Sequence, residues 1–382
     1  MSTISISTKE KNSILSLGAE SEGNFSVYNN GNIYFSESFG DLLDENNFKK
    51  FQKVVLGFLT KNDIKPKFII TDLHPLYKTT IWGEKLAQKF KTKHITVQHH
   101  MAHIFSAIGE NMTYNKSQLT TNKLFYGVSL DGTGYGLDGK IWGGEVFNLH
   151  ITRYGLRATR IGHLENQTML GGDLAVKEPA RMLLGILNKF MTKDAIYARL
   201  KKFYTRNQFE LLYNQLKQNF NCQETSSTGR VLDAVSLLLG FCKNERKYKH
   251  EPIILLEKKS TKPYLNIQPK IKKQELLITT LFEYLIKNLN KDKKRLAATA
   301  QLYIAKGVYK MLPKLGNDKF YLAGGLANNK IISKYLISKG AIVNQKIYPD
   351  NLSRNKFIGV PRGDAGISFG QIFYHLLADP RH

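Results

Sequence analysis

Apolar and polar residues alternate along this chain with two different periods, and the order of those periods predicts an α/β fold. Short apolar runs at Ile14–Leu17, Phe25–Tyr28 and Ile33–Phe35 read as strands, the last two joined by a hairpin turn at Asn29-Asn-Gly-Asn32. Phe48, Phe51, Val54, Val55, Phe58 and Leu59 then recur at helical spacing. Strand Lys67–Thr71, a helix near Trp82–Phe90, strand His94–Gln98 and another helix complete the order β-β-β-α-β-α-β-α.

The pattern then begins again. Leu124–Leu130 reads as a strand ending in a glycine-rich turn, Asp131-Gly-Thr-Gly-Tyr-Gly136, and Lys140–Phe147 and Leu149–Tyr154 read as the next two strands of a meander. Helical sequence dominates from about 173 to 312, and strand Lys319–Leu322 follows, closed by Ala323-Gly-Gly-Leu-Ala-Asn-Asn329 and a helix. Strand Ala341–Ile347 precedes a final helix that Gly363-Asp364-Ala365-Gly366 introduces. The halves share this order without sequence identity. The expectation is a duplicated fold: an N-terminal lobe over 1–122 and a C-terminal lobe over 123–382, with the helical block inserted in the second and a cleft between them.

Composition narrows the class. A length of 382 residues is enough for two to three domains, no apolar run approaches the roughly 20 residues of a membrane span, and the start lacks the apolar core of a signal peptide. Cys222 and Cys242 are the two cysteines, which excludes a cysteine-based zinc framework and suits a reducing cytoplasm. The net charge of +25, with clusters at Lys243–Lys249 and Lys291–Arg295, would attract tRNA or an acidic protein. A lysine-rich solvated surface is the simpler explanation, and no zinc-finger, RRM or KH signature is present.

The chemistry concentrates in Val97-Gln-His-His-Met-Ala-His103. His99 and His103, spaced i, i+4 at a helix start, share one face and can bind one metal ion. The stretch is not HExxH, because position 100 is His, and His100 projects about 100° away from the pair. Asp131 and Asp364, at a strand end and a helix start beside small residues, are further candidate ligands; two histidines and two carboxylates suit iron(II), zinc or manganese. Gly132, Gly134 and Gly136 allow close approach of backbone N–H groups to a phosphate, as does Gly324-Gly325, although Asp-Gly is also an ordinary turn signal. Asp173, Lys177, Glu178 and Arg181 gather around one helix start, where capping and pairing would also account for them. The serine- and threonine-rich stretch before Val231–Leu239 reads as an N-cap and an anion-compatible helix terminus. A metal pair beside phosphate-type loops points to chemistry on an activated, phosphate-bearing substrate.

Eight segments together resemble the hydrogenase-maturation carbamoyltransferase family HypF, in its C-terminal metal-dependent transferase module. They are Leu17–Glu20, Asp72–Pro75, Val97–His103, Asp131–Gly136 with Ile141–Glu145, Gly171–Met182, Thr225–Ala234, Gly324–Asn329 and Gly363–Gln371. The module is similar to tRNA threonylcarbamoyl-transferases and antibiotic O-carbamoyltransferases. The resemblance implies the duplicated ribonuclease-H-like fold of the acetate kinase/Hsp70/actin (ASKHA) group and metal ligands at His99, His103, Asp131 and Asp364, the metal being iron(II) or zinc. It implies carbamoyl-adenylate, derived from ATP, over Gly132, Thr133, Gly134, Gly172, Asp173, Lys177, Glu178, Arg181, Gly324, Gly325 and Asn328, with Asp173 or Glu178 as base.

The sequence departs from the family at Met101, where a further histidine is usual, at Ser21-Glu22, where a lysine commonly follows Gly-Ala-Glu, and at Leu326-Ala327. The acylphosphatase-like, cysteine-zinc and YrdC-like domains that precede the module in the family are not in this sequence. The expectation is therefore the transferase half of a split system in the cytoplasm. A separate YrdC-like protein would make the adenylate, and the C-terminal cysteine of a HypE-type partner would receive the carbamoyl group. The rivals are transfer to tRNA or a small-molecule hydroxyl, and a non-catalytic nucleotide-binding scaffold; basic charge leans towards tRNA, Trp142–Glu145 and Lys177–Pro179 away from it.

Overall fold

The computed structural model describes residues 1–6, 11–115, 123–316, 318–345 and 359–378. Its first sheet contains β1 (Ser2–Ser5), β2 (Ser13–Ser16), β3 (Ser26–Asn29), β4 (Asn32–Phe35), β5 (Phe68–Asp72) and β6 (Lys93–Val97), in the order β1-β4-β3-β2-β5-β6. β2, β3 and β4 form an antiparallel meander, and β5 and β6 run parallel to β2. The helices between them are α1 (Glu45–Lys61), α2 (Lys78–Phe90) and α3 (His99–Tyr114).

The second sheet is built on β7 (Lys123–Tyr135), β8 (Ile141–Thr152), β9 (Gly155–Leu164) and β14 (Lys319–Ala323), with β10 (Gln167–Leu170), β11 (Cys222–Thr225), β12 (Ile271–Lys272) and β13 (Glu275–Leu276) extending it. Its central order, β9-β8-β7-β14, repeats the order and directions of β4-β3-β2-β5. Between β10 and β14 lie α4 (Leu174–Lys177), α5 (Pro179–Leu187), α6 (Lys193–Leu200), α7 (Arg206–Lys217), α8 (Thr228–Leu238), α9 (Glu251–Lys259), α10 (Ile278–Lys287) and α11 (Lys293–Met311). α12 (Lys330–Ser338) and α13 (Ile367–Ala378) follow. No helix among the described residues is long and apolar enough to cross a membrane.

Neighbouring residues of the strands belong to different cores. In β2, Ile14 faces the layer of α3 and α13 while Leu15 faces α1 and α2; in β14, Tyr321 faces α3 while Phe320 and Leu322 face the helical block. Both sheets are thus covered on both faces, which explains their continuous apolar runs. α3 and α13 form the central layer between the two sheets. α3 is accordingly buried nearly all round, and its start is fixed by Gln98, whose side-chain oxygen accepts Met101 N–H at 3.0 Å.

Four expectations change. β7 does not end at Asp131 but continues to Tyr135 through a bulge, Leu130 pairing with Gly144 and Gly134 with Trp142. The two strands expected at 140–147 and 149–154 are one strand, β8, because Asn148 stays in the ladder opposite Tyr126; the third strand is β9, after a turn that Gly155 closes at φ 105°. The strand expected at Ala341–Ile347 is, over its described residues, a single bridge from Ile342 to Tyr321, and its last two residues lie outside the described set. The edge strand β1, too polar to signal itself, and the short strands β11, β12 and β13 within the helical block were not anticipated.

The approach of α13 to α3 sets the geometry that follows. A Cβ on Gly370 of α13 would lie 1.8 Å from the Ala102 carbonyl oxygen, and one on Gly109 of α3 would lie 2.4 Å from the Phe373 ring. Gly370→Ala must push the helices apart and should cost about 1–3 kcal/mol or more, read as a lower urea midpoint. Gly57→Ala, on the exposed face of α1 with nothing within 4 Å of its Cβ, should instead raise stability by roughly 0.5–1 kcal/mol.

Candidate metal centre

Three elements meet where α3 begins. β6 delivers Gln98 and the first turn of α3, which places His99 and His103 on one face. The bulge in β7 turns Asp131 towards them, and the crossing of α13 over Ala102 brings Asp364, just ahead of α13, to the same point. His99 Nε2 lies 3.1 Å from Asp131 Oδ2 and 3.8 Å from Asp364 Oδ1; His103 Nε2 lies 3.0 and 3.4 Å from the same atoms. All four ligand atoms fall within 4.8 Å of one another. For metal–ligand bonds near 2.1 Å the edge of a tetrahedron is about 3.4 Å, so these separations suit one divalent ion.

Each member is held from behind. Asp72, wholly buried at the end of β5, accepts the His99 Nδ1–H at 2.7 Å and so leaves Nε2 to face the site. Asp131 divides its oxygens: Oδ1 accepts the backbone N–H groups of Gly132 at 2.8 Å and Gly325 at 3.2 Å, and Oδ2 faces the histidines. The bulge is itself braced. Buried Glu145 gathers Gly143 N–H and Gly144 N–H at 3.0 Å each and Arg160 Nε at 2.5 Å, and Ser227, the N-cap of α8, donates to the Gly132 carbonyl.

The electrostatics call for a cation. Burial disfavours the imidazolium of His99, but Asp72 and Asp131 outweigh it and hold the pKa well above the ordinary histidine value. His103 is raised in the same way by Asp131 against its burial. Asp131 is held well below the carboxylate range despite burial, chiefly by His103, and Asp364 is lowered to about 2 by its bond from His103 against the same opposition. His100 behaves oppositely: burial and then the charge of His99 push its pKa well down, and it sits as a neutral ring with Nδ1 2.9 Å from Gln98 Nε2.

The remaining candidates divide into two groups. The glycines of β7 and the turn after it have internal duties: Gly132 donates to Asp131, Gly136 N–H closes its turn on the Lys140 carbonyl, and a Cβ on Gly134 would lie 2.5 Å from His100 and 2.8 Å from His99. Nothing lies within 4 Å of a Cβ on Gly132, so the bulge keeps an open side beside half-buried Thr133. Gly324, at φ 88°, passes so close to Leu130 that a Cβ would stand 2.4 Å from its carbonyl oxygen, and Asn328 holds a buried Oδ1 without a hydrogen-bond partner among the described residues. Gly172 adopts φ 56° just before α4.

Lys177, Glu178 and Arg181 instead line a cleft of about 530 Å³ with Tyr204 and Asn244, and no member of the His99 cluster lines it. Glu178 Oε2 accepts Arg181 Nε at 2.8 Å and Tyr204 Oη–H at 3.1 Å. Asp173, exposed and making no capping bond, acts electrostatically on His74, whose ring stacks on Tyr77 at 4.2 Å and meets Tyr135 edge-on at 5.3 Å. Asp72 and His74 had gone unassigned. Their signal was position: Asp72 pairs with Val97 at the carboxyl ends of two parallel strands, two residues before His99.

Comparison with known proteins identifies the family. Residues 127–371 match the family model described as carbamoyltransferase, Kae1-like domain, second subdomain, and residues 9–110 match the HypF Kae1-like domain. A probable carbamoyltransferase HypF of Methanocaldococcus jannaschii is 37% identical over 98% of this chain and 48% of its own length. Carbamoyltransferase HypF of Synechocystis sp. is 26% identical over 96% of this chain and 47% of its own. The crystal structure of T. kodakarensis HypF superposes with a TM-score of 0.81 at 28% identity, covering 98% of this chain and 48% of that one. A full-length HypF structure at 23% identity shares the fold, with a TM-score of 0.80 over 98% of this chain. The chain spans about half the length of the curated relatives it matches. It belongs to the HypF carbamoyltransferase family, to whose Kae1-like module its sequence corresponds.

Proposed function

We propose that this chain carries out the transfer step of thiol carbamoylation, passing a carbamoyl group from carbamoyl-adenylate to the C-terminal cysteine of a HypE-type acceptor in hydrogenase maturation. The observation that carries the reading is the convergence of two imidazole nitrogens and two carboxylate oxygens within 4.8 Å beside an open glycine bulge. The family's carbamoyltransferase relatives support the reaction class. The two matching strand orders support duplicated ribonuclease-H-like lobes of the ASKHA type, over 1–122 and 123–382, with α13 crossing back onto the first lobe. YrdC-like chemistry supplies the adenylate in this reading, and the system works in the cytoplasm.

His99, His103, Asp131 and Asp364 would hold a divalent ion, iron(II) or zinc, which supplies Lewis-acid polarisation and charge neutralisation to the bound anhydride. Asp72 keeps the His99 lone pair directed at the site. The open side of Gly132, with Thr133, receives the phosphate end, and the unpaired Asn328 Oδ1 accepts a hydrogen bond from the nucleoside. The acceptor sulfur attacks the carbamoyl carbon, the bond from that carbon to the phosphate oxygen breaks, and AMP leaves with the bonding electrons. Asp173 takes the thiol proton, since Glu178 is occupied by Arg181 and Tyr204.

Two experiments test this. In the first, intact mass of a HypE-type acceptor is measured after incubation with this chain and enzymatically supplied carbamoyl-adenylate. A gain of one carbamoyl group, abolished by His103→Ala, is expected; an unchanged mass with adenylate intact contradicts the proposal. In the second, chelator competition compares metal affinities. His103→Ala should lose the ion, and Asp72→Asn should weaken it roughly 10–100-fold; an Asp72→Asn affinity equal to wild type would remove the orienting role.

A further inference from the structure

Besides its histidines, α3 carries one acidic side chain. Glu110, seven positions after His103 and therefore on the same helical face, is 2% exposed. Its carboxylate joins two stretches of chain that are distant in sequence: Oε2 accepts Gln345 N–H at 2.9 Å and Oε1 accepts Val360 N–H at 2.7 Å. Two residues past Val360, buried Arg362 donates Nε to the Asn344 carbonyl at 2.8 Å and Nη1 to the Ala327 carbonyl at 3.1 Å. Ser106 Oγ, on α3, reaches Asn344 Oδ1 at 3.3 Å. Asp364 follows Arg362 by two residues, after Gly363 at φ 86°.

Glu110 and Arg362 carry opposite charges inside the protein, and none of their bonds is made to the four converging side chains. The Glu110–Val360 bond fixes the chain that leads into Asp364 directly to the helix bearing His99 and His103. Arg362 ties the same chain to Ala327 and to Asn344, which Glu110 and Ser106 hold against that helix through Gln345 and the Asn344 side chain. Bonds to an ionised acceptor are among the stronger ones available, and Val360 stands only four residues from Asp364. We infer that Glu110 and Arg362 are positioning residues for the fourth metal ligand: they set the distance of Asp364 from the histidines. This rests on the reading of His99, His103, Asp131 and Asp364 as a metal centre.

The test is a double-mutant cycle on the full chain with Zn²⁺ as probe, its affinity measured by chelator competition, alongside the absorption spectrum of the Co²⁺ form. Glu110→Ala should lower Zn²⁺ affinity roughly 10–100-fold, the range for supporting groups of metal ligands, and alter the Co²⁺ spectrum. In an Asp364→Ala background the same change should move the affinity by no more than about two-fold, because the ligand it positions is gone. Equal losses in both backgrounds, or a lowered melting temperature with unchanged Zn²⁺ affinity and Co²⁺ spectrum, would overturn the inference and leave Glu110 as fold support alone. Should Glu110→Ala fail to fold, Arg362→Lys, which keeps the charge but loses the two-pronged bond, carries the same cycle. Absence of Zn²⁺ binding by the wild-type chain would instead overturn the metal centre itself, and this inference with it.

Discussion

Three carboxylates and two imidazoles are packed into one place, and that constraint governs the rest. His99, His103, Asp131 and Asp364 converge on one point, and Asp72 holds His99 from behind at 2.7 Å. Unpaired, such a set of charges would be prohibitive to bury. Two imidazolium protons or one divalent ion bring the same two positive charges; the carboxylates raise the histidine pKa values, and the imidazoles lower those of Asp131 and Asp364. A site that must be filled by a cation in either form is a site whose protons a metal can displace.

The scaffold answers that demand with rigidity. α3 is clamped between two sheets and a second helix, with glycine at the points of closest approach, so the histidine face has little freedom. Asp131 sits in a bulge braced from Glu145 and Ser227, and Asp364 heads a helix pinned to α3. The four ligands thus come from three elements, α3, β7 and the turn ahead of α13, and the elements are coupled by backbone contacts rather than by the ligands alone. The cleft lined by Lys177, Arg181 and Tyr204 is a separate feature of the helical block.

Much of this was legible in the sequence wherever a local pattern carried the information. The period-two runs located β2, β5, β6 and the core of β7, and the i, i+4 histidines after a strand placed His99 and His103 on one face. Asp131 and Asp364 stood out because small residues flank them at element boundaries. What stayed hidden depends on the third dimension. Asp72 is an acidic residue at the end of an apolar strand until the parallel register sets it behind His99. Glu110 looks like any helical glutamate until Gln345 and Val360 fold onto it. The glycines of Asp131–Gly136 suggested a turn, yet a bulge needs the same residues, and the pairing partner decides between them. Glu178 accepts bonds from Arg181, which i, i+3 spacing allows, and from Tyr204, 26 positions along the chain, whose approach no spacing announces.

The central claim is that one divalent ion belongs among these four side chains. Anomalous-difference diffraction from crystals grown with iron(II) or zinc, recorded on both sides of the metal's absorption edge, tests it most directly. The account predicts a single strong peak bounded by His99 Nε2, His103 Nε2, Asp131 Oδ2 and Asp364 Oδ1. A map without density there, with the histidines still hydrogen-bonded to Asp131, would contradict it and leave the cluster as a proton-bridged structural core.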